Sequence, residues 1–313
     1  MTAETGLRGQ VSAWIERLHD QTTEFFTRLD GGGSFREDRW ERPGGGGGVS
    51  RVLSDGVTFE KAGVNRSIVE GALEPQLARR IGARVTGLEP LGFSVAGLSL
   101  VIHPRSPLVP TVHLNVRYFE IARASGEAID AWFGGGTDLT PTYPLPEDAS
   151  HFHRTLKATC DRHHPSFYPR FKTWCDHYFV NTHRGDEPRG IGGIFFDHLR
   201  VGESRLTLAQ LFDFVIGVGE VLPDAYGPLV DRRRNLSFGE RERHFQLVRR
   251  GRYAEFNLVH DRGTLFGLQT GARIESVLMS LPPEAAWDYS PVYQPGSFEA
   301  ELLAMLKPRD WTV

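Results

Sequence analysis

The chain has 313 residues, 40% of them hydrophobic and 24% charged, which is enough apolar material for a large core and for one or two domains. A net charge of -3 excludes a generally basic binder of nucleic acid or of anionic membranes. The two cysteines, Cys160 and Cys175, stand outside any CxxC pattern, which argues against zinc ribbons, iron–sulfur ligation and a disulfide framework and leaves them as core thiols.

The first residues, MTAETGLRGQVSAWIERLHD, lack the apolar run of a secretory signal, and no membrane span is visible, so the expected location is the cytoplasm. Val11, Trp14, Ile15, Leu18, Phe25, Phe26 and Leu29 fall at helical spacing and predict an amphipathic helix ending at Asp30-Gly31. The run Gly44 to Gly48 lacks the Gly-Lys-Ser/Thr ending of a phosphate loop and the strand-to-helix setting of a dinucleotide motif. It reads as a mobile flap over a site, or as a flexible linker. SRVLSDGVTFEKAGVN reads as a hairpin with a tight turn at Asp55-Gly56.

FSVAGLSLVIHP and TVHLNVRYFEIA read as strands of a wide, proline-punctuated hairpin, with DAWFGGGTDL as a further strand. Alternation sets Ser99 and His103 opposite Leu98, Leu100 and Ile102, and sets His113, Asn115 and Arg117 together opposite Leu114, Val116 and Tyr118. Helical patterns run from about Glu147 to His163 and from Phe167 to Val180, followed by the apolar strand GIGGIFFDHL. LTLAQLFDFVIGVGEVL, PDAYGPLVDRRR and GERERHFQLVRRGR are helical in pattern, as is the segment from about Ser297 to Lys307. The basic run Asp231 to Arg252, with acids interleaved, reads as a solvated or oligomer-facing surface.

Residues 253–283, YAEFNLVHDRGTLFGLQTGARIESVLMSLPP, set an acid and two arginines into an otherwise apolar run. Alternation across YAEFNLVHD predicts a strand with Tyr253, Glu255, Asn257, Val259 and Asp261 on one face. A carboxylate in such surroundings needs Arg262 or a ligand to satisfy it; a structural Asp–Arg pair is the alternative. Strands early, helices late and hairpins in place of βαβ units predict an α+β fold, with a large, mainly antiparallel sheet between layers of helices in one domain over residues 1–313.

Ser99, His103, His113, Asn115, Arg117, Glu255, Asn257 and Asp261 thus make a polar face, with Arg262 and Arg273 close in sequence. Arginine there fits a carboxylate through its planar fork, so an anionic ligand is expected. His103, His113, His153 and His183 could gather around a metal, although no HExxH-type spacing supports it.

WFGGGTDLTPTY, HRGDEPRGIGGIFFDHL, VIHPRSPLVPTVHLNVRYF and the long run FGERERHFQLVRRGRYAEFNLVHDRGTLFGLQTGARIESVLMSLPP together resemble the oxygen-dependent coproporphyrinogen III oxidases of haem biosynthesis, in order and over nearly the whole chain. The resemblance implies that two propionates of coproporphyrinogen III become vinyl groups, giving protoporphyrinogen IX and carbon dioxide, with dioxygen as co-substrate reduced to hydrogen peroxide and no organic cofactor. It implies a homodimer whose interface includes about Tyr253 to Asp288. It also implies substrate contacts at Ser99, Asn115, Arg117, Gly271, Ala272 and Arg273, a proton donor at His113, and a catalytic pair at Asp261 and Arg262. A candidate divalent-metal set falls at His103, His113, His153 and His183, and the reaction is not expected to require it. The chain departs from the family pattern at Ala272, where Gly is frequent, at His198, where Asp is common, and in a connector after His183 that is one residue longer. Two other classes share these features: a metal-dependent oxygenase using the histidines, and a non-catalytic tetrapyrrole carrier using the same arginines.

Overall fold

A computed structural model describes residues 6–85, 90–202, 205–269 and 272–313. Helix α1 (Leu7–Asp30) buries Val11, Trp14, Ile15, Leu18 and Phe26 and stops where its sequence predicts, with Gly31 at φ 86° donating its N–H to the Thr27 carbonyl. Strands β1 (Arg36–Glu41), β2 (Gly46–Ser54), β3 (Phe59–Ala72), β4 (Leu91–Pro104), β5 (Thr111–Arg123) and β6 (Ala128–Thr140) follow as an antiparallel meander, with α2 (Pro75–Arg80) between β3 and β4. After α3 (Pro146–Asp161) and α4 (Phe167–Tyr178) come the two-residue ladder of β7 (Val180–Asn181) with β8 (Glu187–Pro188), and then β9 (Gly193–Leu199). That last strand pairs with β6 and completes a seven-stranded, wholly antiparallel sheet. The remaining helices are α5 (Leu208–Gly219), α6 (Leu222–Ala225), α7 (Gly227–Arg233), α8 (Glu240–Glu255), α9 (Arg262–Gln269), α10 (Ile274–Leu278) and α11 (Phe298–Met305). The fold is α+β, as its pattern predicts.

One face of the sheet is the floor of the core. Leu98, Leu100 and Ile102 of β4 and Leu114, Val116 and Tyr118 of β5 are buried there with Trp14 and Phe26 of α1 and Phe212 and Val215 of α5. Their alternate residues point to the other face, where Ser99, His113, Asn115 and Arg117 are only half-buried.

Four sequence expectations are corrected. Residues 253–261 are not a strand: α8 runs to Glu255 and continues as a π turn over Phe256–His260. Phe245, Val248, Arg249, Arg252, Tyr253 and Phe256 are buried at helical spacing, so the helical period of the preceding residues carries through and overrides the short alternation. The basic run is a solvated surface only over its first part, to about His244. Arg249, Arg250 and Arg252 are buried, with Arg250 paired to Glu60 at 2.5 Å, Arg249 paired to Glu187, and Arg252 to Glu255 at 3.3 Å.

The Gly44–Gly48 run is no flap or linker but the turn between β1 and β2 and the start of β2, where Arg42 N–H donates to Gly46 O at 2.9 Å. Gly48 is required by close approach, because a Cβ there would lie 2.3 Å from the Trp40 ring. The turn at Asp55-Gly56 is also wider than a two-residue hairpin. The buried Asp30 carboxylate, at the end of α1, accepts the N–H groups of Gly33 (2.7 Å), Val57 (3.1 Å), Thr58 (3.0 Å) and Phe59 (2.9 Å), and so dictates the longer loop.

Burial pulls the Asp30 carboxyl upward, and these four backbone donors outweigh it, leaving it below the ordinary carboxylate range. A lowered folded value means the stabilisation is whole above the unfolded value near about pH 4 and is lost as pH falls through the folded value. Asp30→Ala is therefore expected to cost about 3 kcal/mol at pH 7. Urea denaturation of both proteins checks this, and the gap between them should narrow steadily below about pH 4.

Candidate active site

The polar face is built by strand register. Asp38, Ser50, Asn65, Ser99, Asn115, Gly136 and Phe195 are successive partners across all seven strands, a row of roughly 29 Å at about 4.8 Å per strand. A neighbouring row reads Gly48, Ser67, Gly97, Arg117 and Gly134, and the row on the other side reads Gly63, Val101, His113, Asp138 and Gly193. Small side chains thus dominate the floor, and a few functional groups rise from it. Such a surface accepts a broad, flat ligand without steric conflict.

His113 is oriented from beneath. Its Nδ1–H donates to Asp138 Oδ1 at 2.7 Å, which leaves Nε2 for a ligand. Asp138 Oδ2 accepts from Arg189 Nη2 at 2.5 Å, and Arg189 Nη1 donates to Asn257 Oδ1 at 2.9 Å. The Arg189 guanidinium packs against the rings of Phe179 (4.1 Å), Tyr253 (4.5 Å) and Phe256 (4.8 Å). Burial alone would raise the Asp138 carboxyl; the Arg189 charge and the His113 hydrogen bond reverse this and hold it below the ordinary carboxylate range.

The C-terminal third walls the floor at both ends. At the β9 end, Tyr178 stacks on Phe195 at 4.3 Å, donates to Asp261 Oδ1 at 2.9 Å and accepts Arg262 N–H at 3.1 Å, and the Arg262 guanidinium lies 4.9 Å from its ring. Burial and the neighbouring Asp261 charge push the Tyr178 phenol up to about 12, so it remains a donor. Asp261 Oδ2 accepts both the N–H (2.7 Å) and the hydroxyl (2.9 Å) of Thr264, which makes Asp261 the N-cap of α9. At the β1 end, Arg273 pairs with Asp38, and Ser276 shares a 2.7 Å hydrogen bond with Ser50. His103 Nε2–H donates to Ser280 O at 2.9 Å and Lys61 donates to Leu281 O at 2.8 Å, which pins this wall to β3 and β4.

The structure therefore brings Ser99, His113, Asn115 and Arg117 onto one floor, with Asp261 and Arg262 at one end of it and Arg273 at the other. Ala272 is exposed beside Arg273, and Gly271 lies outside the described residues. The four histidines of the candidate metal set are not gathered. His103 and His153 are buried, and burial pushes each imidazole down to about 3. His153 spends both ring nitrogens on Tyr168 (3.0 Å) and Ile191 O (3.1 Å), while His183 bonds His260 (2.6 Å) and Glu255 (3.0 Å). Among the described residues no group of three or more metal-ligating side chains is assembled, so this set does not fit one metal ion.

Asp138, Arg189, Tyr178, Asp197 and Asp38 are absent from the sequence-derived face. Asp138 carries the signal that singles out Asp261, a lone acid in an apolar strand; Arg189 and Tyr178 carry none, since their roles arise from packing between distant elements. Because Asp138 and Arg189 are both almost fully buried, Arg189→Leu leaves a carboxylate uncompensated and should cost about 3–5 kcal/mol in urea denaturation. Combining it with Asp138→Asn should recover a large part of that loss, as a double-mutant cycle would show.

The family profile for coproporphyrinogen III oxidase matches residues 10–311. An oxygen-dependent coproporphyrinogen-III oxidase of Drosophila melanogaster is 53% identical over 285 residues, covering 90% of this chain and 72% of the relative. A chloroplastic oxygen-dependent coproporphyrinogen-III oxidase of Glycine max is 47% identical over 99% of this chain and 80% of its own length. The chloroplastic coproporphyrinogen-III oxidase 1 of Arabidopsis thaliana is 45% identical over 99% of this chain and 81% of its own length. With this extent of match, and with the floor and both walls in place, the chain belongs to the coproporphyrinogen III oxidase family.

Proposed function

We propose that the chain carries out the aerobic oxidative decarboxylation of coproporphyrinogen III to protoporphyrinogen IX, within one domain over residues 1–313. Membership of the family supports the reaction, and a core cluster running from Val11 to Trp311 supports the single domain. The observation that carries the reading is the floor itself, a wide plane of Ser, Asn and Gly with arginines at its middle and ends, suited to a flat tetrapyrrole edged with carboxylates.

Each propionate loses a hydride equivalent from the carbon beta to its carboxylate as carbon dioxide departs, and dioxygen with one proton takes up that hydride as hydrogen peroxide. The two electrons leave with that hydride from the propionate itself, helped by the electron-rich pyrrole that bears it, so no organic cofactor and no metal is required in this reading. Arg117 and Arg273 anchor propionates, with Ser99, Asn115 and Ala272 beside them. Asp261 Oδ1 keeps an acceptor position beyond its bond from Tyr178 and takes a pyrrole N–H, with Arg262 beside it. His113, held by Asp138 with Nε2 toward the cleft, moves the protons.

Asn is as good an N-cap as Asp, so Asp261→Asn isolates charge from helix capping. Aerobic incubation with coproporphyrinogen III, followed by chromatography of the oxidised porphyrins, should show turnover reduced about a hundredfold with the fold retained. The same assay should need oxygen and should survive exhaustive chelation. Tightly bound stoichiometric metal whose removal abolishes turnover, and whose return restores it, would favour the metal-dependent class. Binding of substrate with no turnover by the unmodified chain would favour the carrier.

A homodimer is proposed with this function. Within residues 253–288, Leu258 (43%), Val259 (53%), Ile274 (45%) and Trp287 (56%) are exposed apolar side chains, as an interface needs. Tyr253 is buried within the protomer, so the contact begins nearer Leu258 than the implied boundary. Sedimentation equilibrium should give a dimer that Leu258→Glu with Val259→Glu converts to monomer; a monomeric parent protein would sink the assignment. A cytoplasmic location is part of the proposal, supported by the unpaired buried thiols of Cys160 and Cys175. No helix among the described residues is long and apolar enough to cross a membrane.

A further inference from the structure

Pairing between β6 and β9 skips at one point. Phe133 opposes Leu199 and Gly135 opposes Phe196, so Asp197 and His198 together face the single residue Gly134. Two residues against one is a β-bulge, and bulges re-aim side chains. His198 accordingly takes φ 49°, a left-handed conformation rare outside glycine. Its ring stays on the polar side of the sheet, stacked on Trp132 at 5.4 Å and bonded through Nε2 to Ile81 O at 2.8 Å, where the segment after α2 begins. Strict alternation would have sent Asp197 and His198 to opposite faces.

Asp197, two residues beyond Phe195, stays on the polar side by ordinary alternation and reaches Arg117. Its Oδ1 accepts from Arg117 Nη2 at 2.8 Å and from the His198 N–H at 2.9 Å, while Arg117 Nη1 donates to Asn115 Oδ1 at 2.8 Å. The guanidinium lies flat over Gly134, where a Cβ would come within 2.6 Å of Nη2. Fixed at two corners, the fork has N–H groups left over for a second carboxylate.

We infer that Asp197, braced by the His198 N–H at the bulge, is the positioning residue of Arg117: it holds the guanidinium flat on the sheet so that its remaining donors meet one propionate, and it thereby governs substrate affinity more than the rate of the chemical step. The inference rests on the functional reading above. It extends that reading to a residue that touches no substrate.

Asp197→Asn, Arg117→Lys and the double variant separate these roles in the full-length protein. KM and kcat would be measured with coproporphyrinogen III, and binding of coproporphyrin III, the oxidised tetracarboxylate, by quenching of tryptophan fluorescence. Asp197→Asn is expected to raise KM and weaken coproporphyrin III binding about tenfold while kcat stays within about threefold. Added to Arg117→Lys it should do little more, because both remove one anchored fork. A stabilising role alone would lower the melting temperature and leave KM untouched. Should the Asn variant fail to fold, Asp197→Ser removes the same charge with less bulk and carries the same expectations. Unchanged KM in an active variant, or penalties that multiply in the double variant, would overturn the inference alone. Failure of the unmodified chain to convert coproporphyrinogen III would instead bring down the functional reading beneath it.

Discussion

The buried pair of Asp138 and Arg189 is the contact on which the rest of the site depends. Two charges taken out of water need each other and need every remaining donor and acceptor matched. Here Asp138 satisfies His113 as well as Arg189, and Arg189 satisfies Asn257 and packs on three aromatic rings. The pair therefore joins β5 and β6, the segment after β8 and the end of α8 into one body. The imidazole on the floor and the turn that leads to Asp261 are located by the same two groups. Its contribution is to geometry, since a desolvated ion pair gains little net stability over an apolar replacement of equal volume.

Around that anchor the sheet does two jobs with its two faces. The apolar face is covered by helices in the usual way, while the other is covered at one end by α2, whose Leu77 and Ala78 pack against Phe93, Ile121 and Trp132, and elsewhere carries Ser, Asn and Gly residues. The C-terminal third crosses it only at the ends, held by polar bonds such as Ser50 to Ser276 and His103 to Ser280. A cleft follows from this division, because a polar floor can stay wet until a ligand arrives. Asp261 shows how economically the walls are made: one carboxylate caps a helix with one oxygen and faces the Tyr178 hydroxyl with the other.

Much of the floor was legible from period-two alternation, since His113, Asn115 and Arg117 are neighbours on a strand whose opposite residues are uniformly apolar. The resemblance to a known family added roles for the wall residues Asp261, Arg262 and Arg273, which the pattern had only placed on or near that face. The strand reading of residues 253–261 failed because nine residues of alternation also fit a helix, and the arginine-rich helix before them had no stop signal. Its buried arginines were misread for a related reason: their carboxylate partners, Glu60 and Glu187, are far away in the chain, so local charge density suggested water. Asp138 stood in a glycine-rich strand without a partner in sight. The bulge at Asp197 and His198 left no trace in the hydrophobic pattern, because one extra residue in a seven-residue strand looks like ordinary irregularity.

The order of the strands has a bearing on how the molecule comes to exist. β1 to β6 are joined to their neighbours by consecutive hairpins, so most of the floor closes short loops in the order in which it is synthesised. The groups that turn this platform into a reaction vessel, from Tyr178 and β9 to Arg273, all arrive later. A nascent chain thus holds a half-built sheet whose polar side is already water-compatible, while the apolar side of β5 and β6 waits for α5 to cover it. The wetness that makes room for a ligand in the finished protein also spares one side of the unfinished sheet from exposing apolar surface.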